Sequence, residues 1–207
     1  TRGVGLPGQG TLATPLVTGC GIGFVLPIVP TSIHHKGHGR HTFHNDFGAV
    51  ITAQHKAKVI GYIDSAEQQG ANIVIDGRQA APTGYENGFY VGATLIDQVR
   101  PDMVSYKEEI FGPVLQILRV NTMQEAMNLI DQHEYGNGTC IYTRDGEAAR
   151  YFSDHIRVGM VGINIPLPVP VASHSFGGWK RSLFGDLHAY GPDGARFYTR
   201  RKTITQR

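Results

Sequence analysis

Amphipathic helical stretches and short apolar runs alternate along the chain from about Asp46 onwards. The first helical pattern covers residues 52–70 and ends at Gly70, because glycine readily takes the left-handed conformation that closes a helix. One face of this predicted helix collects apolar residues: Val59, Ile60, Ile63 and Ala66. This spacing predicts that the helix packs one side against a core.

Two further helices are predicted from their first residues. Thr122 and Glu125 form the capping box of a helix that continues to about residue 133, and Asp145 caps a helix over 146–156. Five short apolar runs predict strands: 71–76, 88–97, 113–120, 138–143 and 158–165. Strands that alternate with helices are typical of crossover units, so we expect an α/β fold with a three-layer, open and mostly parallel sheet.

Polar residues at the ends of two predicted strands are candidates for a binding site. Asn164 and a proline-rich loop, 166–175, follow the last strand, and ligands of parallel sheets lie beyond the carboxyl ends of strands. Two adjacent acids, Glu108 and Glu109, precede the third strand. A solvated residue at a strand start is the ordinary alternative to a binding role for either acid.

Composition narrows the classes of function. The chain has 207 residues, of which 41% are hydrophobic and 17% charged, and its net charge is +2. This balance gives no reason to expect a nucleic-acid or membrane partner. No apolar run reaches the roughly 18 residues that a membrane-spanning helix needs. The two cysteines, Cys20 and Cys140, make no disulfide framework, so we expect a protein of the cytoplasm or of an organelle matrix.

The first 45 residues differ in composition from the rest of the chain. They contain no Asp or Glu, although the whole chain has 17 of these residues. They also lack helical or strand periodicity over most of their length, so we expect an irregular extension. A reading-frame error or a gene remnant would explain this segment, and a genuine divergent terminus is the alternative.

Four motifs carry a resemblance to a known family. They are EEIFGPV (108–114), YGNGTCIYTRDGEAAR (135–150), SFGGWKRSLFGD (175–186) and RFYTRRKTIT (196–205). From about Asp46 to Arg207 the sequence resembles the C-terminal half of the aldehyde dehydrogenase superfamily. The stretch INIPLPVPVASHSFGG (163–178) resembles its CoA-acylating methylmalonate-semialdehyde dehydrogenase branch, which carries a VPxPVP loop before an SF motif.

The resemblance implies a division of the chain and an assembly. Residues 1–46 form the atypical segment, 47–190 a partial catalytic domain, and 191–207 a C-terminal oligomerisation strand. The alternating pattern from Phe197 to Ile204 also predicts a strand. In the family this strand pairs with a neighbouring subunit, so the resemblance implies a homo-oligomer, and an unpaired edge would favour aggregation.

The resemblance also implies a cofactor and site residues. NAD is the cofactor, and Glu109 accepts hydrogen bonds from its nicotinamide ribose, because an ionised carboxylate can hold a diol with two oxygens. Phe111 packs beside the nicotinamide. Phe176 and Asn164 belong to the substrate pocket, and a core aromatic is the alternative interpretation of Phe176.

The family's chemistry needs a nucleophilic cysteine that this chain does not show at the expected place. The thiolate attacks the aldehyde, hydride passes to NAD, and coenzyme A takes the acyl group as co-substrate. Spacing puts the nucleophile at GQGT, where the cysteine position is Thr11. Cys20 lies nine residues later, and Cys140 lies on a predicted buried strand. A threonine hydroxyl cannot replace a thiolate without a dedicated base.

Two functions of different classes therefore stay open. The first is a C-terminal fragment of an NAD-dependent CoA-acylating malonate or methylmalonate semialdehyde dehydrogenase, inactive alone because the cofactor domain would lie upstream. The second is a non-catalytic remnant that keeps only the packing and self-association surfaces.

Two other patterns fail their structural requirements. The stretch 3–8, GVGLPG, matches a dinucleotide-binding pattern, but no predicted strand precedes it and Pro7 interrupts it. Five histidines lie close together near the end of the first segment: His34, His35, His38, His41 and His44. Gly37 and Gly39 make that stretch flexible, whereas zinc needs ligands in fixed geometry, so we expect no evolved metal site.

Overall fold

The computed structural model describes residues 22–23, 48–171 and 173–207. In chain order its elements are β1 (Ile22–Gly23), α1 (Ala53–Gln68), β2 (Asn72–Ile75), β3 (Thr94–Asp97), α2 (Val104–Lys107), β4 (Val114–Gln116), α3 (Met123–Gln132), β5 (Tyr135–Gly136), β6 (Gly138–Ile141), α4 (Gly146–His155), β7 (Met160–Ile163), β8 (Trp179–Lys180) and α5 (Gly191–Phe197). Each predicted helix and each predicted strand region of 52–165 contains an element of the expected type. The α/β class is therefore confirmed.

The strands described form three small open sheets. In the first, β6 lies between β1 and β7, and all three run parallel. In the second, β3 lies between β2, which is antiparallel to it, and β4, which is parallel. The third is the antiparallel pair β5 and β8. The expectation of a mostly parallel arrangement fits the first two sheets, but the strands described do not join into one continuous sheet.

Strand β3 is much shorter than the apolar run 88–97 that predicted it. Close packing between Gly77 and Gly92 keeps the first half of this run out of the sheet. The Gly92 N–H donates to the Gly77 carbonyl at 2.8 Å, and a Cβ on Gly77 would lie 2.0 Å from that Gly92 carbonyl oxygen. The Gly77 N–H in turn donates to Thr94 Oγ1 at 3.1 Å. Residues 88–93 therefore belong to a loop, and pairing with β2 begins only at Thr94.

Side chains at the first residues fix where the three longer helices start. Thr52 Oγ1 accepts from the His55 N–H at 3.1 Å and Thr122 Oγ1 from the Glu125 N–H at 3.2 Å. Asp145 Oδ1 accepts from two free amides of the first turn of α4. Each bond satisfies amides that have no partner within the helix, so these residues set the register of the apolar faces.

A single large core lies between the helices and the first two sheets. Its most deeply buried side chains come from many elements: Val59, Ile63, Val91, Ile96, Met103, Leu118 and Met127. Helix α1 buries the predicted face, with Ile60 partly covered, and ends before Gly70 at φ +92°. In the described ranges, no helix has the length and apolar character that crossing a membrane requires.

The C-terminal segment departs from the predicted strand. Phe197 ends α5, whose Pro192 stands in the first turn, and residues 198–207 belong to no helix or strand. Glycine, proline and an acid at its start favour this short helix over the strand period that begins at Phe197. Every residue from 195 to 207 is exposed, so the predicted strand is not formed within this chain.

The N-terminal segment lies mostly outside the residues described. Its one described element is β1, whose Ile22 pairs with Gly138 of β6. The sequence predicted an irregular extension here and did not predict this strand.

Candidate functional site

A tight turn between α2 and β4 carries the sequence EEIFGP. Phe111 has φ +53°, a left-handed conformation that bulky residues rarely take. Its carbonyl accepts a hydrogen bond from His55 Nε2 of α1 at 2.8 Å. This bond requires the proton on Nε2 of His55, and it ties the strained residue to the first turn of a well-anchored helix.

The two acids of this turn have different surroundings. Glu108 Oε2 accepts a hydrogen bond from the hydroxyl of Tyr62 at 2.5 Å. Burial and the Glu108 carboxylate together raise the pKa of Tyr62 to about 12. Glu109 is exposed, and no hydrogen bond joins its carboxylate to the described part of the chain. Glu108 therefore anchors the turn, while Glu109 is free to accept hydrogen bonds from a ligand.

Helix α1 also fixes the turn by close packing. A Cβ on Gly112 would lie 2.8 Å from a methyl carbon of Val59, which is fully buried. The Phe111 side chain points the other way and is 65% exposed. The turn thus exposes a carboxylate and an apolar ring two residues apart in the chain. Contacts with three residues of α1 hold the turn in place: Val59, His55 and Tyr62.

Asn164 fastens the ends of β6 and β7 together. Its Oδ1 accepts from the Thr143 N–H at 2.9 Å, and its Nδ2 donates to the Thr143 carbonyl at 3.0 Å. Its backbone has φ +57°, and asparagine tolerates this conformation better than most residues. The oxygen and the nitrogen of the side-chain amide therefore both bond to the backbone of Thr143, and the second Nδ2 hydrogen is left for a ligand.

Apolar side chains at alternate positions, from the end of β7 into the loop after Asn164, are exposed. They are Ile163, Ile165, Leu167, Val169 and Val171. Pro168 is buried instead, and a Cβ on Gly138 would lie 2.8 Å from its ring. This spacing gives the loop an apolar outer edge beside the carboxyl end of β7.

Phe176 is half-buried and stacks on Tyr190, with ring centroids 4.5 Å apart and an angle of 26° between the planes. The hydroxyl of Ser175 lies 2.7 Å from His188 Nδ1 and donates to Asp193 Oδ2 at 3.0 Å. Phe176 thus packs on the segment that leads into α5, and it is not among the residues of the main core.

The model of the aldehyde dehydrogenase family matches residues 34–204. The chain belongs to the aldehyde dehydrogenase family. The matched range begins at residue 34, so the resemblance extends further towards the N-terminus than the expected start near Asp46.

Relatives of known name agree with this membership. A malonate-semialdehyde dehydrogenase of Pseudomonas aeruginosa is 70% identical over 162 residues, which are 78% of this chain and 33% of that protein. The crystal structure of a methylmalonate-semialdehyde dehydrogenase from Oceanimonas doudoroffii is similar with a TM-score of 0.77 and 79% identity, over 78% of this chain and 33% of that one. A Mycobacterium tuberculosis aldehyde dehydrogenase complexed with NAD⁺ has a TM-score of 0.68 and 33% identity, over 75% and 31%. The chain spans about a third of the length of these relatives.

Among the described residues, no cysteine is a candidate for the catalytic nucleophile of the family. Cys140 of β6 is 2% exposed, and burial raises the pKa of its thiol, so the reactive thiolate is disfavoured. Thr11, Cys20, the GVGLPG stretch and the five histidines lie outside the described residues. In the described ranges no three His, Cys, Asp or Glu side chains form a group that could hold a metal ion.

The structure places the predicted site residues at three locations. Glu109 and Phe111 share the turn between α2 and β4, Phe176 packs on Tyr190 just before α5, and Asn164 follows β7. In the described ranges no hydrogen bond or ring contact joins one of these locations to another.

Sequence reasoning missed the residues that fix the EEIFGP turn and the end of α3 in place. His55 and Tyr62 are seven positions apart in α1, two turns along one face, and this spacing was a usable signal. Lys180 Nζ donates to the carbonyls of Ile130, Asp131 and His133 at the end of α3, at 2.8, 3.0 and 3.1 Å. Nothing in the sequence near Lys180 indicated that partner.

Proposed function

We propose that this chain supplies the nicotinamide-ribose contact and part of the acyl pocket of an NAD-dependent, CoA-acylating malonate or methylmalonate semialdehyde dehydrogenase. The observation that carries this proposal is that Glu109 and Phe111 are both exposed, two residues apart in one turn. The printed names of the two semialdehyde dehydrogenases that it resembles support the substrate class. In the full enzyme we infer a three-layer sheet that joins the strands described here.

The residues of the turn fit the nicotinamide end of NAD. Glu109 has no hydrogen bond to the described chain, so its two carboxylate oxygens can accept from the two ribose hydroxyls. The exposed ring of Phe111 offers an apolar surface at the adjacent position. Bound NAD would supply the hydride acceptor. The chain's own part is to orient the ribose, and the anchors His55 and Glu108 keep that orientation fixed.

The acyl side is formed by different residues. Phe176 provides an apolar ring, and the exposed edge of the loop after Asn164 provides further apolar contact. Coenzyme A, the co-substrate that the resemblance implies, would take the acyl group from a cysteine thioester. Cys140 is too deeply buried to be that cysteine, and the motif position carries Thr11. We therefore propose that a polypeptide of these 207 residues has no dehydrogenase activity by itself.

The absence of a thiol at Thr11 also favours the second candidate, a non-catalytic remnant of the family. On either proposal the chain self-associates in the cytoplasm through its terminal segment. Its exposed apolar residues support such a contact: Phe197, Tyr198 and Ile204. The terminal strand would then form only against a neighbouring subunit.

The test is Glu109→Gln in a full-length chimera in which residues 47–207 come from this chain, and a relative supplies the upstream cofactor domain and the nucleophilic cysteine. Glutamine keeps the shape but removes the charge, which weakens the ribose hydrogen bonds by roughly 1–2 kcal/mol. We expect kcat/KM for NAD to fall about tenfold or somewhat more, because 1.36 kcal/mol is a factor of ten, while thiol reactivity towards alkylating agents is unchanged. Glu147→Gln, an exposed acid on α4, is the matched control. Equal kinetics for the two variants would reject the assignment of Glu109.

A further inference from the structure

The loop that carries Phe176 is fixed to the segment 188–193 by hydrogen bonds of Ser175 and by stacking of the Phe176 ring. Ser175 Oγ lies 2.7 Å from His188 Nδ1 and 3.0 Å from Asp193 Oδ2. Phe176, the next residue, stacks on Tyr190. Three successive contacts therefore join two neighbouring residues of the loop to one short stretch of chain, which we call the α5 clamp.

The hydrogen bonds of the α5 clamp have a defined direction. A serine hydroxyl has one proton, and Ser175 donates it to the carboxylate of Asp193. His188 must then donate from Nδ1 to Ser175 Oγ, which fixes its tautomer. Loss of the Ser175 hydroxyl would remove both bonds at once and release the histidine from this tautomer.

Backbone contacts leave the α5 clamp little room to move. A Cβ on Gly177 would lie 2.7 Å from His188 Cδ2. Gly191 has φ +64°, and a Cβ there would lie 2.6 Å from the Ser175 backbone nitrogen. The two segments are thus in direct contact on either side of Phe176, so its ring has one face covered by Tyr190 and its position set by backbone packing.

We propose that Ser175, His188 and Tyr190 are positioning residues that hold Phe176 as a fixed wall and so set the acyl-chain preference of the enzyme. This proposal rests on the proposed function, since it needs Phe176 to meet the acyl group. A rigid ring discriminates between chains of different width, because extra methyl groups are rejected only by a wall that does not yield. A released ring accepts wider chains.

The kinetic test compares propanal with the wider 2-methylpropanal in a full-length chimera that joins residues 47–207 of this chain to the cofactor domain and nucleophilic cysteine of a relative. Ser175→Ala and Tyr190→Leu should lower the kcat/KM ratio of propanal to 2-methylpropanal at least fivefold, with KM for NAD changed less than twofold. Tyr190→Phe keeps the stacked ring and should keep the ratio. Ser153→Ala, at a partly exposed serine of α4 whose hydroxyl donates to the Arg150 carbonyl, is the matched control. A ratio that is unchanged in both disrupting variants overturns the proposal, as does a parallel rise in KM for NAD, which indicates general loss of structure.

A second measurement tests the α5 clamp without any activity. In ¹⁵N-histidine-labelled protein, the ring signals of His188, identified by their loss in His188→Gln, should show the Nδ1–H tautomer, and Ser175→Ala should abolish that preference. A His188 that is Nε2–H in the wild type, or that is unaffected by Ser175→Ala, refutes the clamp. If the wild-type enzyme oxidises neither aldehyde, the proposed function fails, and the tautomer alone still decides whether the clamp exists.

Discussion

Tyr62→Phe tests whether helix α1 holds the cofactor turn in place. The change removes the hydroxyl that donates a 2.5 Å hydrogen bond to the Glu108 carboxylate. Tyr62 is 7% exposed, whereas Glu108 is exposed. A hydrogen bond to a charged group contributes about 1.5–3 kcal/mol when both partners are buried. Glu108 recovers its hydration when the partner is lost, so we expect the free energy of unfolding to fall by about 1 kcal/mol at pH 7.

The pH dependence of this loss follows from the pKa of Tyr62, which is raised from 10.0 to about 12 in the folded protein. Between pH 10 and 12 the unfolded chain has released the proton that the folded chain keeps, so stability falls as the pH rises through this window. The contribution is fully present below pH 10. Tyr62→Phe removes it, and the slope against pH should become shallower by up to about 1.4 kcal/mol per unit.

Urea unfolding followed by far-ultraviolet circular dichroism at pH 7, 9, 10.5 and 11.5 measures both effects. Tyr198→Phe is the control, because Tyr198 is 78% exposed. Burial also raises the pKa of Tyr106 to about 12, and that residue contributes equally to every variant. Identical slopes for wild type and Tyr62→Phe, together with no loss at pH 7, would refute the anchoring role of Tyr62.

Two further predictions concern other parts of the chain. Lys180→Met should lower the free energy of unfolding by about 2 kcal/mol in urea titrations, because three carbonyls at the end of α3 lose a half-buried ammonium. The control Lys107→Met, at an exposed position that ends α2, should change it by less than about 0.5 kcal/mol. An equal effect of both would count against the capping role. Deletion of 198–207 should convert a self-associated species to monomer in light scattering at micromolar concentration, whereas a wild-type chain that is already monomeric there would disprove assembly through this segment.

The local features of the fold could be predicted because short-range chemistry determines them. Thr52, Thr122 and Asp145 begin their helices as expected, since a capping side chain acts on amides two or three residues away. Contacts between distant segments could not be predicted in this way. The short β3 results from packing between Gly77 and Gly92, and the partner of Lys180 lies about fifty residues earlier in the chain.

In the candidate site, too, local features could be predicted from the sequence and contacts between distant segments could not. The motif placed Glu109 and Phe111 in one turn, and the structure has them exposed together there. The resemblance said nothing of the left-handed Phe111 or of its bond to His55, which depend on how α1 packs. At the C-terminus an alternating pattern predicted a strand, but within a single chain it has no neighbouring strand to pair with, and residues Gly191–Phe197 form a helix.

The product formed from propanal distinguishes a CoA-acylating dehydrogenase from a hydrolytic one. A full-length chimera that joins residues 47–207 of this chain to the cofactor domain and nucleophilic cysteine of a relative, given propanal, NAD and coenzyme A, should form one propionyl-CoA for each NADH, as measured by mass spectrometry and absorbance. Glu109→Gln should lower both products together. Formation of propanoate in place of the thioester, or NADH production that is indifferent to Glu109→Gln, would contradict the account.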